Sequence, residues 1–365
     1  MILHFYFARR FSVAFFCLTA VFYALVILVD LIEQTRKFSR FDISLSDRLG
    51  LTFLKAPETI NQILPLIMIL ATVVLFIGLA RTSELVVTRA AGRSAMRSLI
   101  SPIAVSLTIG GLAVAVLNPI VAATSKRYAV LSESYRSDGV SALSISGEGL
   151  WLRQGDTNGQ TVIRASRSNG DASVLYDVTF IVYAPNVGPI RRIEAGSAVL
   201  GEGDWSLRDA KVWPLVAGLN PEANASVHEI LKISSTLTLD SIRESLGKPS
   251  SVSIWNLRNY ITQLEQAGFS SRRHKVWFQA EMARPFFLMA MVLVAAAFTM
   301  RHTRFGGTGT AVLTAVLLGF ALYFIRSFAQ ILGENGQIPI LLAAWAPPAA
   351  AIFFALGLLL HAEDG

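Results

Sequence analysis

The chain has 365 residues, of which 53% are hydrophobic and only 16% are charged. A soluble domain carries roughly 25% charged residues, so this composition excludes an ordinary soluble protein and favours one embedded in lipid. The formal net charge is +7, yet residues 126–275 hold 17 Lys/Arg against 15 Asp/Glu, so the excess base lies beside the apolar segments. Cationic membrane flanks explain this charge better than nucleic-acid binding does.

Six apolar segments are long enough to cross the ~30 Å hydrocarbon core, which requires about 20 residues of helix. The first is interpreted as a retained span rather than a cleaved signal peptide, because it is long and no small-residue cleavage site follows it. The fold class predicted is a polytopic α-helical membrane protein with three spans on each side of an inserted domain. In chain order, the predicted spans are 11–29, 60–80, 100–121, 278–300, 310–332 and 338–360.

A short charged segment, RTSELVVTRAAG, lies between the second and third spans at residues 81–92. Ser83 is a candidate N-cap, Glu84 suits the positive end of a helix, and Gly92 is a typical helix stop. The sequence therefore predicts a short helix over residues 83–92. It is either an ordinary interfacial connector or a coupling helix that docks on a cytosolic ATPase.

Between residues 125 and 273 the sequence changes to short alternating, β-branched and aromatic runs, separated by Gly, Asn, Asp and Pro. Strands at this spacing predict an antiparallel sandwich or roll whose strand order is left open. Residues 255–268 then predict a helix that leads the chain back to the membrane. The predicted domains are 1–124 with three spans, 125–273 as an inserted all-β domain, and 274–365 with three spans.

The chain contains no complete catalytic motif. LGKP at residues 246–249 lacks the leading glycine and the hydroxyl residue of a phosphate-binding loop, and SGEG at 146–149 lacks the first glycine of a nucleophile elbow. The five histidines are scattered without metal-ligand spacing. We therefore expect no catalytic residue, no metal site and no directly bound cofactor. Any active transport would draw its energy from a partner or from an ion gradient.

An even number of spans places both termini on the same side of the membrane. The loops on that side carry eight Lys/Arg, whereas the short loops opposite carry five, all within one segment. The positive-inside rule then predicts cytoplasmic termini and an outward-facing β domain. The eight are Arg9, Arg10, Arg81, Arg89, Arg93, Arg97, Arg301 and Arg304, and the five are Arg36, Lys37, Arg40, Arg48 and Lys55.

Several segments, taken in chain order, resemble the permeases of lipopolysaccharide export, the LptF/LptG family, and the resemblance extends over essentially the whole chain. The most specific segment is SELVVTRAAG at 83–92, which follows a second span ending in GLAR. The others are IEQTRK at 32–37, GLWLR at 149–153, ARPF at 283–286 and GFALYF at 319–324. SELVV, GLW and NLRNY at 256–260 resemble the G type of this family more than the F type.

The resemblance implies a multi-pass protein of the Gram-negative inner membrane with a β-jellyroll-like periplasmic domain. It implies a heterodimer with the F-type permease paralogue, a cytosolic LptB-like ABC ATPase dimer that holds ATP and Mg, and an LptC/LptA-like periplasmic jellyroll bridge. It also implies that lipopolysaccharide is extracted from the outer leaflet and passed to that bridge. The coupling residues implied are Ser83, Glu84, Leu85, Val87, Arg89 and Gly92.

Four cations lie at a similar predicted depth near the outer ends of the spans. Arg36 and Lys37 follow the first span, and Arg284 and Arg326 each lie six residues, or ~9 Å, inside the outer end of their own span. At this depth their side chains reach headgroups by snorkelling. We hypothesise that these cations bind lipid A phosphates, which the arginine fork engages bidentately, above an apolar cavity that accepts acyl chains.

Two alternatives stay open. Charges within spans are costly and usually face a cavity or a partner, so Arg284 could instead pair with Glu281, and Arg326 with Asp30. For the whole chain, the alternative is an ATPase-coupled mechanotransmission subunit that regulates an outer partner and moves no lipid. A secondary transporter fits less well, because the spans hold no paired acidic or broken-helix site at their midplane.

Overall fold

The structure is a computed structural model, and the chain divides into two compact units. The transmembrane unit comprises Met1–Leu131, Ser250–Trp255 and Arg272–Gly365, and the β unit comprises Ser132–Pro249 and Asn256–Ser271. The residues described are 2–39, 41, 43–90, 94–135, 143–146, 149–156, 159–169, 173–184, 187–201, 203–215, 218, 220–235, 237–238, 248–266, 270–300 and 308–364.

The transmembrane unit is helical. Within the described residues, six helical segments are long and apolar enough to cross a membrane, which confirms the six predicted spans. The helices extend beyond the apolar segments into polar sequence, so their ends project past the hydrocarbon core. The first two spans are α1 (Ile2–Lys37) and α2 (Leu45–Arg81). The third span is continuous and consists of α4 (Ala95–Leu112), a π-helical turn (Ala113–Leu117) and α5 (Asn118–Ser134). The last three spans are α7 (Arg272–Thr299), α8 (Thr308–Glu334) and α9 (Ile340–Asp364). The shorter helices are α3 (Glu84–Ala90) and α6 (Ile254–Gln266).

Helix α7 is the centre of the transmembrane unit, in contact with α2, α4, α8 and α9. Its C-terminal half is rich in alanine and valine, whose small side chains let neighbouring helices approach closely. At one close crossing, between α4 and α7, an added Cβ on Gly110 would lie 2.5 Å from the Cα of Pro285. By contrast, only 11% of the most apolar stretch of α1, and of α8, is buried within this chain.

The π-helical turn interrupts the third span, and residues 254 and 255 of the same unit contact it and the residue that follows it. Trp255 Nε1 donates to the carbonyl oxygen of Ala115 inside this turn at 3.2 Å. The buried Asn118 accepts a 2.8 Å hydrogen bond from the backbone N–H of Ile254, the first residue of α6. Side chains therefore satisfy backbone groups that the irregular turn and the helix start would otherwise leave without partners.

The β unit contains a seven-stranded antiparallel sheet within the described residues, which confirms the inserted all-β domain. Each strand pairs with the next in the chain, so the order is up-and-down and differs from the two Greek keys of a jellyroll. Buried side chains from β2 to β7 form one core, in which the rings of Phe180 and Trp205 are 6.1 Å apart. The strands are β1 (Leu143–Ser146), β2 (Gly149–Asp156), β3 (Gly159–Ser168), β4 (Val174–Ala184), β5 (Gly188–Leu200), β6 (Asp204–Pro214) and β7 (Ser226–Ser234).

Candidate functional site

The predicted coupling helix is present as α3, Glu84–Ala90. Ser83 occupies the N-cap position, because its carbonyl oxygen accepts the backbone N–H groups of Val86 and Val87, both at 3.1 Å. Its φ angle is 58°, in the left-handed region, whereas a serine that caps with its side chain has an extended backbone. The predicted side-chain cap is therefore corrected, and Ser83 begins the helix through its carbonyl. Gly92 lies outside the described residues.

Helix α3 has one buried and one exposed face. Leu85 and Thr88 are buried, and Leu85 belongs to the core of the transmembrane unit. Leu85 therefore anchors α3 to the spans instead of contacting an ATPase, which corrects its predicted role. Val86, Val87 and Ala90 are exposed on the opposite side, with Val87 at 66%. The apolar face available to a partner thus includes the predicted Val87.

Glu84 is held by residues of the spans. Its carboxylate accepts hydrogen bonds from the hydroxyl groups of Thr82 at 2.8 Å and Tyr6 at 2.9 Å, and from the guanidinium of Arg10 at 3.1 Å. Partial burial acts to raise the pKa of Glu84, but these hydrogen bonds and the charge of Arg10 outweigh it and lower the pKa from its ordinary value. The predicted coupling acid is thus charged at neutral pH and paired within its own chain. The side chain of Arg89 lies outside the described part of the chain.

The two cations at the C-terminal end of α1 differ in their surroundings. Lys37 Nζ donates to the hydroxyl of Tyr128 on α5 at 3.0 Å, and the same hydroxyl exchanges hydrogen bonds with the buried Gln34. Arg36 is exposed. Of the predicted phosphate-binding pair, Lys37 therefore attaches α1 to α5, and Arg36 faces outward from the unit.

Asp30 is not the partner of Arg326. Lys55 of α2 forms salt bridges with Asp30 and Glu33, both at 3.2 Å, and the hydroxyl of Thr59 adds a 3.5 Å hydrogen bond to Asp30. The alternative pairing of Arg326 with Asp30 is therefore wrong, because Lys55 already neutralises that carboxylate.

Arg284 is paired internally. It is 7% exposed, forms a salt bridge with Glu281 one turn earlier on α7, and donates to the side-chain oxygen of Asn61 on α2. Of the two possibilities that the sequence left open, internal pairing is the one observed. Its two terminal nitrogens are committed to these partners, so the predicted phosphate contact of Arg284 is limited to Nε, which has no acceptor among the described residues.

A cavity of about 300 Å³ lies between α2, α7 and α8. Arg326 lines it, with its guanidinium 5.0 Å from the ring centroid of Phe287, and forms no salt bridge with any described residue. Trp277 Nε1 and Arg284 Nε belong to the same lining, are buried, and have no hydrogen-bond acceptor among the described residues. The cavity therefore brings together one unpaired cation and two unpaired donors.

A polar stripe on α8 supplies most of the remaining polar lining. Tyr323, Arg326, Ser327 and Gln330 recur at i, i+3, i+4 and i+7, so they share one face of an otherwise apolar helix. Of this stripe only Arg326 was predicted as a site residue from the sequence, although helical spacing applied to polar residues identifies the other three. The cavity brings Arg284 and Arg326 together, but its lining does not include the pair at the end of α1.

The sequence of this chain is similar to known proteins over nearly its whole length. Residues 5–361 match the family model for the lipopolysaccharide export system permease LptF/LptG. The chain is 24% identical over 360 residues to the lipopolysaccharide export system permease protein LptG of Haemophilus influenzae, covering 95% of this chain and 96% of that protein. It is also 24% identical over 347 residues to the protein of the same name from Escherichia coli K12, covering 92% and 91%.

These matches run from the first span to the last and include α3, the β unit and all three walls of the cavity. Six spans around an inserted antiparallel sheet agree with that match in architecture. The chain belongs to the LptF/LptG family of lipopolysaccharide export system permeases.

Proposed function

We propose that this chain is the G-type permease subunit of an ABC transporter that extracts lipopolysaccharide from the outer leaflet of the inner membrane. The observation that carries the proposal is the cavity between α2, α7 and α8, in which an unpaired arginine and two buried unpaired donors converge. The spans of residues 1–124 and 274–365 form the lipid pathway, and residues 125–273 form a periplasmic relay.

The chemistry of the cavity suits a phosphate group. Arg284 and Glu281 neutralise each other, so Arg326 leaves the cavity with one net positive charge. A buried donor without an acceptor costs about 1–3 kcal/mol, and a phosphate oxygen bound to Trp277 Nε1 or Arg284 Nε would remove that cost. The arginine fork of Arg326 engages phosphate oxygens in pairs. Lipid A supplies such phosphates.

The end of α1 supplies a second contact. Arg36 is exposed and free to approach a headgroup, whereas Lys37 contributes charge from a position fixed by Tyr128. The apolar side chains of Ile32 and Leu28, one and two turns before Arg36, are also exposed. This end of α1 therefore offers a cation beside an apolar surface, which suits an anionic lipid with acyl chains.

The energy for extraction comes from partner subunits. The sequence has no phosphate-binding loop, so ATP and Mg bind to a cytosolic LptB-like ATPase dimer and no cofactor binds to this chain. Exposed Val86 and Val87 on α3 offer that dimer an apolar docking face. In this orientation both termini are cytoplasmic and the β unit is periplasmic, as the positive-inside rule predicts.

The remaining partners occupy exposed surfaces. The F-type permease packs against the apolar faces of α1 and α8, which this chain leaves largely uncovered. An LptC/LptA-like bridge continues the β unit at an edge strand, where β7 exposes Val227 and Ile230. Exposed edges of this kind accept a further strand from another protein.

The test is charge reversal in the cavity. The complex is reconstituted with lipopolysaccharide in proteoliposomes, and release of lipid to the soluble bridge is measured for Arg326→Glu, Arg326→Lys and the exposed control Arg97→Glu. Arg326→Glu should lower release by about tenfold or more, because a charge-assisted contact becomes a repulsion. Arg326→Lys should keep part of the release, and Arg97→Glu all of it.

Two results contradict the proposal in different ways. If Arg326→Glu assembles and releases lipid at the wild-type rate, the cavity is not the phosphate site. If the wild-type complex moves no lipopolysaccharide and its ATPase is not stimulated by that lipid, the chain is a mechanotransmission subunit and the transport function fails.

A further inference from the structure

Three side chains form a joint between the coupling helix and the first span. Glu84 of α3 accepts from Tyr6 and Arg10 of α1, and the guanidinium of Arg10 lies 4.9 Å from the centroid of the Tyr6 ring. Tyr6 and Arg10 are four residues apart and so lie on one side of α1. The cation–π contact orders both donors, so the carboxylate of Glu84 binds to a preformed pair of Tyr6 and Arg10.

The carboxylate of Glu84 has little capacity left for a partner. Its Oε2 atom accepts from Tyr6, and its Oε1 atom accepts from both Arg10 and Thr82. A cation on an ATPase would therefore meet a carboxylate that is already neutralised. The exposed face of α3 is apolar, formed by Val86 and Val87, so the partner pushes on that face while Glu84 points towards α1.

Helix α1 is suited to carry this push along its length. It is an unbroken helix of 36 residues, about 54 Å long, and contains neither proline nor glycine, which are common causes of kinks. Phe7, Phe11 and Phe15 pack its N-terminal half into the same core as Leu85, whereas the following turns are mostly exposed. A displacement at the N-terminal end thus passes along a stiff helix with few lateral contacts in its centre.

The far end of α1 carries groups assigned to the substrate. Arg36 and Lys37 form its last turn, and the lateral contacts there are polar: Lys37 with Tyr128, and Asp30 with Lys55. Polar contacts of this kind exchange readily with water or with an anionic headgroup. Movement of α1 therefore changes which partners its terminal cations hold.

We infer that Tyr6 and Arg10 are positioning residues that transmit the motion of α3 to α1, and through α1 to Arg36 and Lys37. The inference rests on the proposed function, because it assigns the source of that motion to the cytosolic ATPase. It adds a mechanical path within one chain, from the docking face to the terminal cations. Glu84 serves this path as an internal link.

The test uses the full transporter complex with a reporter at the far end of α1. Cys17 is replaced by serine, and the exposed Thr35 is replaced by cysteine and labelled with a nitroxide. The spin-label spectrum is recorded with and without a non-hydrolysable ATP analogue, together with ATP hydrolysis and lipid release. The variants are Arg10→Ala, Tyr6→Phe, the rescue variant Arg10→Lys and the matched control Arg9→Ala, which removes an exposed arginine from the adjacent position.

The expected result is a loss of transmission with the motor still attached. Arg10→Ala should retain the ATPase and hydrolyse ATP, lose the nucleotide-dependent spectral change, and consume about tenfold more ATP per lipid released, the factor expected for a charge-assisted hydrogen bond. Tyr6→Phe should show a smaller loss, Arg10→Lys should restore most of the response, and Arg9→Ala should match the wild type.

Each other outcome overturns one specific claim. A normal nucleotide-dependent spectral change in Arg10→Ala contradicts the path through α1. The path is also contradicted if none of the nucleotide-binding proteins tested, the controls included, shows a spectral change. Loss of the ATPase from Arg10→Ala shows that the joint serves docking instead. If the wild-type reporter responds to nucleotide but the complex moves no lipopolysaccharide, the proposed function fails and the path through α1 stands.

Discussion

Arg284 and Glu281 are the most deeply buried opposite charges in the described part of the transmembrane unit, with side chains 8% and 0% exposed. Asn61 completes the arrangement from α2. A buried ion pair stabilises little by itself, because desolvation offsets most of the attraction. Removing one member, however, leaves a charge without compensation. The pair thus holds α2 against α7 and sets the wall of the cavity beside Arg326.

At the scale of residues, we expect Glu281→Leu to destabilise the protein by about 3–5 kcal/mol, because Arg284 then stays buried without its partner. The double variant Glu281→Leu/Arg284→Met should recover most of that loss. Apparent melting temperatures of the complex in detergent measure both effects. Equal destabilisation by the single and double variants would mean that the side chains act through packing and not through charge.

Residue chemistry was only partly readable from the sequence. Arg284 and Glu281 lie three positions apart, so the sequence could place them on one side of a helix and offer their pairing as an alternative. It could not assign Asn61 as the third partner, which is 223 positions away. The sequence likewise did not identify Lys55 of α2 as the partner of Asp30.

At the scale of elements, the crossing of α4 and α7 depends on a single missing side chain. An added Cβ at Gly110 would lie 2.5 Å from a backbone atom of Pro285, which cannot move independently of its helix. Gly111 is the next residue, and an added Cβ there has no atom within 4 Å. Substitutions at Gly110 and Gly111 therefore distinguish the effect of close packing from the effect of intrinsic helix propensity.

We expect Gly110→Ala to lower stability by about 1–3 kcal/mol, the usual cost of overpacking. Gly111→Ala should be neutral or stabilising by up to ~1 kcal/mol, because alanine favours the helix. Thermal denaturation of both variants in the same detergent provides the comparison. Similar melting temperatures for the two variants would show that the crossing yields without cost.

The sequence predicted the elements better than their contacts. Length and apolar composition identified the spans, and alternation identified the strands. The Ser83–Gly92 pattern located α3 but assigned Ser83 a side-chain cap, since a left-handed φ is not visible in a Ser-Glu dipeptide. The π-helical turn gave no signal in the sequence. Its contacts join Trp255 to Ala115 and Ile254 to Asn118, residues 140 and 136 positions apart.

At the scale of the whole molecule, orientation can be tested with single cysteines in a Cys17→Ser background. Val187→Cys, at an exposed position immediately before β5, should react with a membrane-impermeant maleimide in intact spheroplasts. Arg97→Cys, at the exposed start of α4, should react only after lysis. The reverse labelling pattern would place the β unit in the cytoplasm and contradict the positive-inside assignment.

The sequence by itself determined that this is a six-span membrane protein with an inserted β domain and a short helix between the second and third spans. It could do so because a bilayer demands long apolar helices and a sheet demands alternation, and both are local patterns. Only the tertiary structure decided the strand order, the partners of Arg284 and Lys37, and the attachment of Glu84 to α1. Those features depend on contacts between residues far apart in the chain, such as Glu84 and Tyr6 at a separation of 78.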